Sequence, residues 1–179
     1  NMNISGGSDR ATFYVSAGFY TENGLFKTDE LQQYDSKIAY SRYNFASRLN
    51  INATKTTVID LGIKGFIGNG NYPGTGTSDI FQEAFETYPT IYPMGLYPNG
   101  QEPFTSTGGG MNSPYGLLTN RGYVSTYNNQ INSDIRVIQD LSFWVKGLSA
   151  RTLFAFDASN TNRLSRVKSP AANYARSRD

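Results

Sequence analysis

The sequence predicts an all-β protein: a segment of about six antiparallel strands of a large transmembrane β-barrel with long external loops. Three observations carry that reading: unusually long alternating stretches, short and long connections that alternate strictly, and a composition made for strands and turns. The clearest stretch is Tyr40 to Ile67. Ser41, Tyr43, Phe45, Ser47, Leu49 and Ile51 share one parity, and Tyr40, Arg42, Asn44, Ala46, Arg48 and Asn50 share the other. After the polar turn 52–56 the pattern resumes, with Ile59, Leu61, Ile63 and Ile67 against Val58, Asp60, Lys64 and Phe66. Side chains on a strand point to opposite faces with period two, so each strand has an apolar face and a charged one. Twelve residues reach about 40 Å, and tilted by about 45° they cross roughly 28 Å, near the ~25 Å apolar band of an outer-membrane barrel.

Composition agrees. Hydrophobic residues make up 38% of the chain, below the usual level of about 45–50% even though that benchmark includes Gly. Thirteen Tyr, eleven Phe and eighteen Gly suit strands and turns. A net charge of +2, spread along the chain, gives no electrostatic case for nucleic acid. The chain has no Cys and no His, which excludes thiol catalysis, disulfides, His general bases and His- or Cys-ligated metals. No apolar run is long enough for a spanning helix, a test that barrel strands escape because every second residue can be polar.

In chain order, Asn1–Gly6 reads as the end of a strand. It ends at a turn over Gly6–Arg10, where Gly and Asp are expected to supply positive φ. Ala11–Tyr20 is the next strand, followed by an Asn23-Gly24 turn signal and a polar, aperiodic loop to Lys37. The hairpin then runs to Gly68. The stretch of about 69–126 reads as a long external loop rich in Gly, Pro, Asn and Tyr, with two helical turns over Ile80–Thr87 capped by Ser78 or Asp79. A third long strand covers Tyr127–Val145, a tight turn Lys146–Ser149, and a last strand Ala150–Ser159. Residues 161–179 read as a weakly patterned basic tail, leaving 1–160 as the partial barrel. Short connections at Gly6–Arg10, Asn52–Thr56 and Lys146–Ser149 alternate with long ones, as periplasmic turns and extracellular loops do in outer-membrane barrels.

The runs Asn3–Tyr20, Glu22–Asp29 and Tyr43–Thr56, together with Ile80-Phe81, Tyr97–Gly100, Gln139–Leu141 and Lys146–Ser149, closely resemble the barrel of SusC/RagA-type TonB-linked transporters. The resemblance implies a barrel of about 22 strands closed by a plug, in the bacterial outer membrane, importing oligosaccharides or peptides. It implies as partners a SusD-like surface lipoprotein, outer-membrane lipid, the remainder of the barrel and plug, and the TonB complex, reached through parts not in this chain. The chain departs from the family in lacking a plug, a TonB-contacting segment and a terminal strand ending in an aromatic. Six strands fall short of the eight of the smallest barrels, so the chain is expected to be a piece of a barrel completed by other segments. A soluble β-rich carbohydrate-binding module and a passive porin are the alternatives.

Two sets of site residues follow. Arg42, Arg48, Asp60, Lys64, Asp134 and Arg136 share the polar parity and are expected to line the lumen, either along a hydrated path or as ion pairs holding register. Tyr88, Tyr92, Tyr97, Asn99, Asn112 and Tyr115 lie in the long loop and can offer aromatic faces and amides to a glycan or peptide, or pack the loop on itself. The carboxylate pairs Asp29/Glu30 and Glu83/Glu86 sit in no catalytic pattern, so no enzyme is expected. Asp79 and Glu83 lack calcium-ligand spacing, and neither metal nor cofactor is expected. Tyr20, Tyr40, Tyr127 and Trp144 near strand ends suit interfacial girdles.

Overall fold

A computed structural model describes residues 1–26, 34–87, 97, 101–103, 112–169 and 172–173, the side chains of the last two excepted. The chain is all-β in its main architecture. Strands β1 (Met2–Gly7), β2 (Ala11–Asn23), β3 (Ala39–Asn52), β4 (Thr57–Pro73), β6 (Gly122–Asp140) and β7 (Ser149–Val167) form one antiparallel sheet in the order β1-β2-β3-β4-β6-β7. Between β4 and β6 lie helix α1 (Thr77–Glu86), the short β5 (Glu102–Pro103) and helix α2 (Pro114–Thr119). β5 pairs in parallel with β8 (Ala172–Asn173). No helix among the described residues is long and apolar enough to cross a membrane. By compactness the chain divides into two units. The first holds Asn1–Glu22, Ser41–Asn69 and Tyr127–Asn162, and the second holds Asn23–Tyr40, Gly70–Thr126 and Arg163–Asp179.

In the first unit the predicted two-faced sheet is present. The β1–β2 register pairs Ile4 with Val15 and Met2 with Ala17, keeping apolar side chains together. Phe19 of β2 and Tyr43 of β3 stack at 5.0 Å on that same face. Phe13, Val15, Phe19, Tyr43, Ile63, Ile131 and Ile135 remain exposed, and the buried apolar residues found among the described ones all lie in the second unit. Gly65 interrupts the apolar face, and the Phe45 ring covers the gap: a Cβ on Gly65 would meet Phe45 Cζ at 2.8 Å. An aromatic laid over a strand glycine restores the packing that the missing side chain gives up.

The short turns are tied side by side. Ser8 and Ala11 exchange backbone hydrogen bonds around Asp9-Arg10, and the Arg10 carbonyl accepts from Asn52 N–H at 2.8 Å. Thr56 carbonyl accepts from Asp140 N–H at 2.7 Å. All three short connections therefore fall on one edge of the unit, as their alternation with long ones predicts.

Several boundaries differ from the sequence reading. Among the described residues the positive-φ positions are Gly122 and Gly147, so neither Gly7 nor Asp9 supplies one at the first turn. Gly7 is needed there for space, since a Cβ would stand 2.7 Å from the Ala11 carbonyl oxygen. Asn23-Gly24 is not a turn: Gly24 N–H donates to Ile38 carbonyl at 2.8 Å, continuing the ladder past β2. The third long strand stops at Asp140 rather than Val145. Leu141, Phe143 and Val145 hold strand parity, but Trp144 and Val145 N–H both donate to Leu141 carbonyl, which curls the chain into a turn. Trp144 sits in that turn, 79% exposed. The last strand passes the predicted Ser159 and ends at Val167, so residues 161–167 are strand and not tail. Alternation of Asn, Thr and Ser carries no apolar signal, which hides strand from a periodicity test. The loop of about 69–126 is likewise shorter than expected, because β4 runs to Pro73 and β6 starts at Gly122.

In the second unit, α1 packs on α2, and each helix buries an apolar side chain, Ile80 and Leu117. The α1 N-cap is Gly76, without a side-chain cap bond, in place of Ser78 or Asp79. The helix starts a turn earlier than the polar pair suggests, and Asp79 falls in its first turn, where a carboxylate favours the helix dipole. The short α2 is capped by Ser113 with Pro114 following.

Candidate functional site

Two groups of polar side chains answer to the predicted sets. On the charged face of the first unit, Arg48 of β3 meets Asp60 of β4 in a two-pronged pair, Nε–Oδ1 at 3.0 Å and Nη2–Oδ2 at 2.9 Å. Fork-on-carboxylate geometry is the most directional ion pair available to side chains. Asp134 of β6 approaches the same guanidinium at 3.9 Å, and Arg136 adds a second positive charge near Asp60. Gly62 makes this possible: a Cβ there would stand 2.5 Å from Asp134 Oδ1, so its absence is the space through which that carboxylate leans. Arg42 lies over the Phe66 ring at 3.9 Å and donates from Nε to Asn44 Oδ1 at 2.8 Å. Lys64 has no ion-pair partner among the described residues. Thr12, Tyr14, Asn50, Arg48 and Asp60 border an open hollow of about 330 Å³. The structure thus brings Arg48, Asp60, Asp134 and Arg136 together, and leaves Arg42 and Lys64 apart from that cluster.

The second group lies in the long connection. Tyr88, Tyr92 and Asn99 fall outside the described residues. Tyr97 N–H donates to Gln101 carbonyl at 2.9 Å. Asn112 N–H donates to the Glu83 carboxylate of α1, and Asn112 Oδ1 accepts from Arg121 Nη2 at 3.3 Å. Tyr115 sits in α2, its carbonyl accepting from Thr119 Oγ1. These positions work at least in part within the connection itself.

The organising residues were absent from the sequence reading. Arg121 Nη2 pairs with Glu102 Oε2 at 3.1 Å, and Glu102 is 1% exposed. Gly116 of α2 lies directly under this carboxylate, with room for no Cβ: Glu102 Cδ would be 2.4 Å away. Arg121 carbonyl accepts from Lys168 N–H, Gly122 carbonyl accepts from Gly74 N–H, and Gly122 N–H donates to Tyr34 Oη at 2.8 Å. One dipeptide, Arg121-Gly122, therefore holds β5, the Asn112 segment, the ends of β4 and β7, and Tyr34. No local pattern marks such a residue in the sequence. The Ser113-Pro114 pair, a cap followed by Pro at the first helical position, was the readable signal for α2.

Strands of thirteen to nineteen residues reach about 30–44 Å across at 45° tilt. With one uncovered apolar face, one charged face and short turns on one edge, the sheet is a wall segment of a large membrane β-barrel. No protein-family model matches the chain. It is similar to "TonB-dependent receptor P3" of Formosa agariphila, at 24% identity over 169 residues, a match that takes in 88% of this chain. The chain spans about 15% of the length of that receptor.

Proposed function

We propose that this chain forms wall and external loop of a SusC-type, TonB-dependent outer-membrane importer for oligosaccharides or peptides. In this reading Phe45, Leu49 and Ile63 face lipid, and Arg48, Asp60, Asp134 and Arg136 face the lumen. The long connection faces outward, beneath a SusD-like lipoprotein lid. The plug and the TonB-contacting segment belong to other parts of the protein, so this chain supplies containment and capture rather than energy coupling. The observation that carries the reading is the two-faced sheet: a soluble carbohydrate-binding module would have to cover the apolar parity of β3 and β4 with a packed layer, and that parity is left open here. The similarity to a TonB-dependent receptor supports the TonB-dependent, outer-membrane part of this reading.

Mechanistically, a bidentate Arg48–Asp60 pair between adjacent strands fixes register on the lumen side while leaving a hydrated, hydrogen-bonding surface. The test is uptake of labelled oligosaccharide and peptide mixtures by cells carrying the whole protein, with and without a protonophore. Protonophore-sensitive uptake by a protein that requires detergent for extraction is the expected result. Uptake insensitive to the protonophore would replace this reading with a passive porin, and recovery in the soluble fraction would replace it with the binding module.

A further inference from the structure

The turn between β6 and β7, Leu141–Leu148, lies wholly in the first unit and carries Phe143, Trp144 and Val145 followed by Lys146. All four are exposed, Phe143 by 76% and so about as fully as Trp144. Turns between strands are normally polar, and a contiguous apolar patch beside a charge marks a surface that meets something other than water. Strand pairing stops at Asp140, so the direction of these rings comes from the turn itself.

A few hydrogen bonds set that direction. Asp140 falls on the charged parity of β6 with Asp134 and Arg136. Its carboxylate accepts from Ser142 N–H at 2.8 Å and from the Ser142 hydroxyl, which holds Ser142 to the charged side. Trp144 and Val145 N–H then donate to the Leu141 carbonyl at 2.8 and 3.1 Å, making one helical turn. Each helical residue advances about 100°, so Trp144 points roughly opposite to Ser142, away from the charged face. Gly147 at φ +81° brings the chain back, and a Cβ there would meet nothing within 4 Å, so this flank is open.

Height follows from β6. Tyr127, Ile131, Ile135 and Gln139 share its apolar parity. Gln139 ends that face at the short-turn edge, where its Oε1 accepts from Thr57 Oγ1 of β4 at 2.6 Å. Tyr127 to Gln139 covers about 28 Å at 45° tilt, close to the ~25 Å apolar band of a barrel. Leu141 stands about 5 Å further on, within a headgroup layer about 5–7 Å deep.

We propose that this turn is a lipid anchor: Trp144 and Phe143 lodge among the glycerol and upper acyl groups of the inner leaflet, and Lys146 takes a phospholipid phosphate. The proposal rests on the membrane reading above. Indole suits this half-wet layer because its ring is apolar and its N–H needs a partner, and an ammonium binds phosphate as a mobile point charge. The anchor fixes the depth of the β6–β7 hairpin at a place where strand parity no longer does.

The experiment uses the whole protein that contains this chain, reconstituted in phospholipid vesicles brominated either near the headgroup or near the bilayer centre. Emission of Trp144 is read as the difference between the parent protein and Trp144→Phe. Headgroup-proximal bromine should remove most of that emission, while bilayer-centre bromine and aqueous iodide should remove little. Lys146→Gln should shift the emission to the red and raise its loss to iodide. Phe143→Trp gives a second probe in case Trp144→Phe fails to insert, and its added emission should follow the same order of quenching. Trp144 emission lost to iodide and untouched by bromine would overturn the proposal and make the turn a docking point for a soluble partner. Stronger quenching from the bilayer centre would overturn the assigned depth, and an unchanged Lys146→Gln would overturn the phosphate contact. A protein that never inserts refutes the membrane reading itself, whereas an inserted one with Trp144 in water refutes the anchor alone.

Discussion

Removing either member of the Glu102–Arg121 pair should release the long connection, and removing both together should do so far less. Glu102 is 1% exposed and, among the described residues, its Oε1 has no hydrogen-bond partner, so its compensation there comes from Arg121 at 3.1 Å. Breaking a buried pair from one side costs about 3–5 kcal/mol, because a charge is left alone in a poor solvent. The lower end applies to Glu102→Leu, since Arg121 keeps Asn112 and a side chain 16% exposed. About 3 kcal/mol corresponds to roughly 150-fold faster amide exchange for backbone protected only by this unit. Leu117, Asn120 and Gly122 N–H are the reporters, each bonded within the second unit. Glu102→Leu/Arg121→Met should recover most of the protection, since replacing both charges with apolar groups of similar volume is often near neutral. Hydrogen exchange on the detergent-solubilised whole protein gives the four corners of the cycle. If the double variant exchanges as fast as the product of the singles, the two side chains are uncoupled and the pair is not what holds the connection.

Three further outcomes can be checked. Ile63→Arg, on the apolar face and 50% exposed, should cost about 2–4 kcal/mol if that face meets mid-bilayer lipid; refolding yield into bilayers reads it, and Lys64→Arg on the opposite parity is the control. Gly122→Ala should loosen the β6–β7 end severely. Its φ of +89° disfavours any side chain, and a Cβ would fall 1.8 Å from the Arg166 carbonyl oxygen; exchange at Lys168 N–H, which bonds Arg121, measures it. At the turn after β6, the Ser142 hydroxyl and then its N–H hold the Asp140 carboxyl below its ordinary value of 3.8. Because the folded value is the lower one, the stabilisation is complete above 3.8 and fades as pH falls through and below it. Protease cleavage at Leu141–Leu148 should rise over that acid window, and Asp140→Asn should flatten the dependence.

The faces of the sheet were legible because alternation is a local signal: Phe45, Leu49 and Ile63 on one parity and Arg48, Asp60 and Asp134 on the other needed only counting. Strand ends were not, for two reasons. Leu141-Ser142-Phe143-Trp144-Val145 keeps strand parity through a turn set by backbone bonds to the Leu141 carbonyl. Ser159–Val167 keeps strand geometry without apolar alternation. The charged cluster was half readable. Parity gave its members, but the role of Gly62 as the space for Asp134 depends on which strands are neighbours. Arg121 was invisible, since its partners Glu102, Asn112 and Lys168 converge through tertiary folding alone, as does Tyr34 on the neighbouring Gly122.

β7 carries Phe154 and Phe156 on one parity and Asp157 on the other across nineteen residues of strand. Any strand paired with it must match that alternation, because a slip of one residue would turn every partner side chain to the wrong face. The length of β7 thus makes its register all-or-none: nineteen residues must be right together.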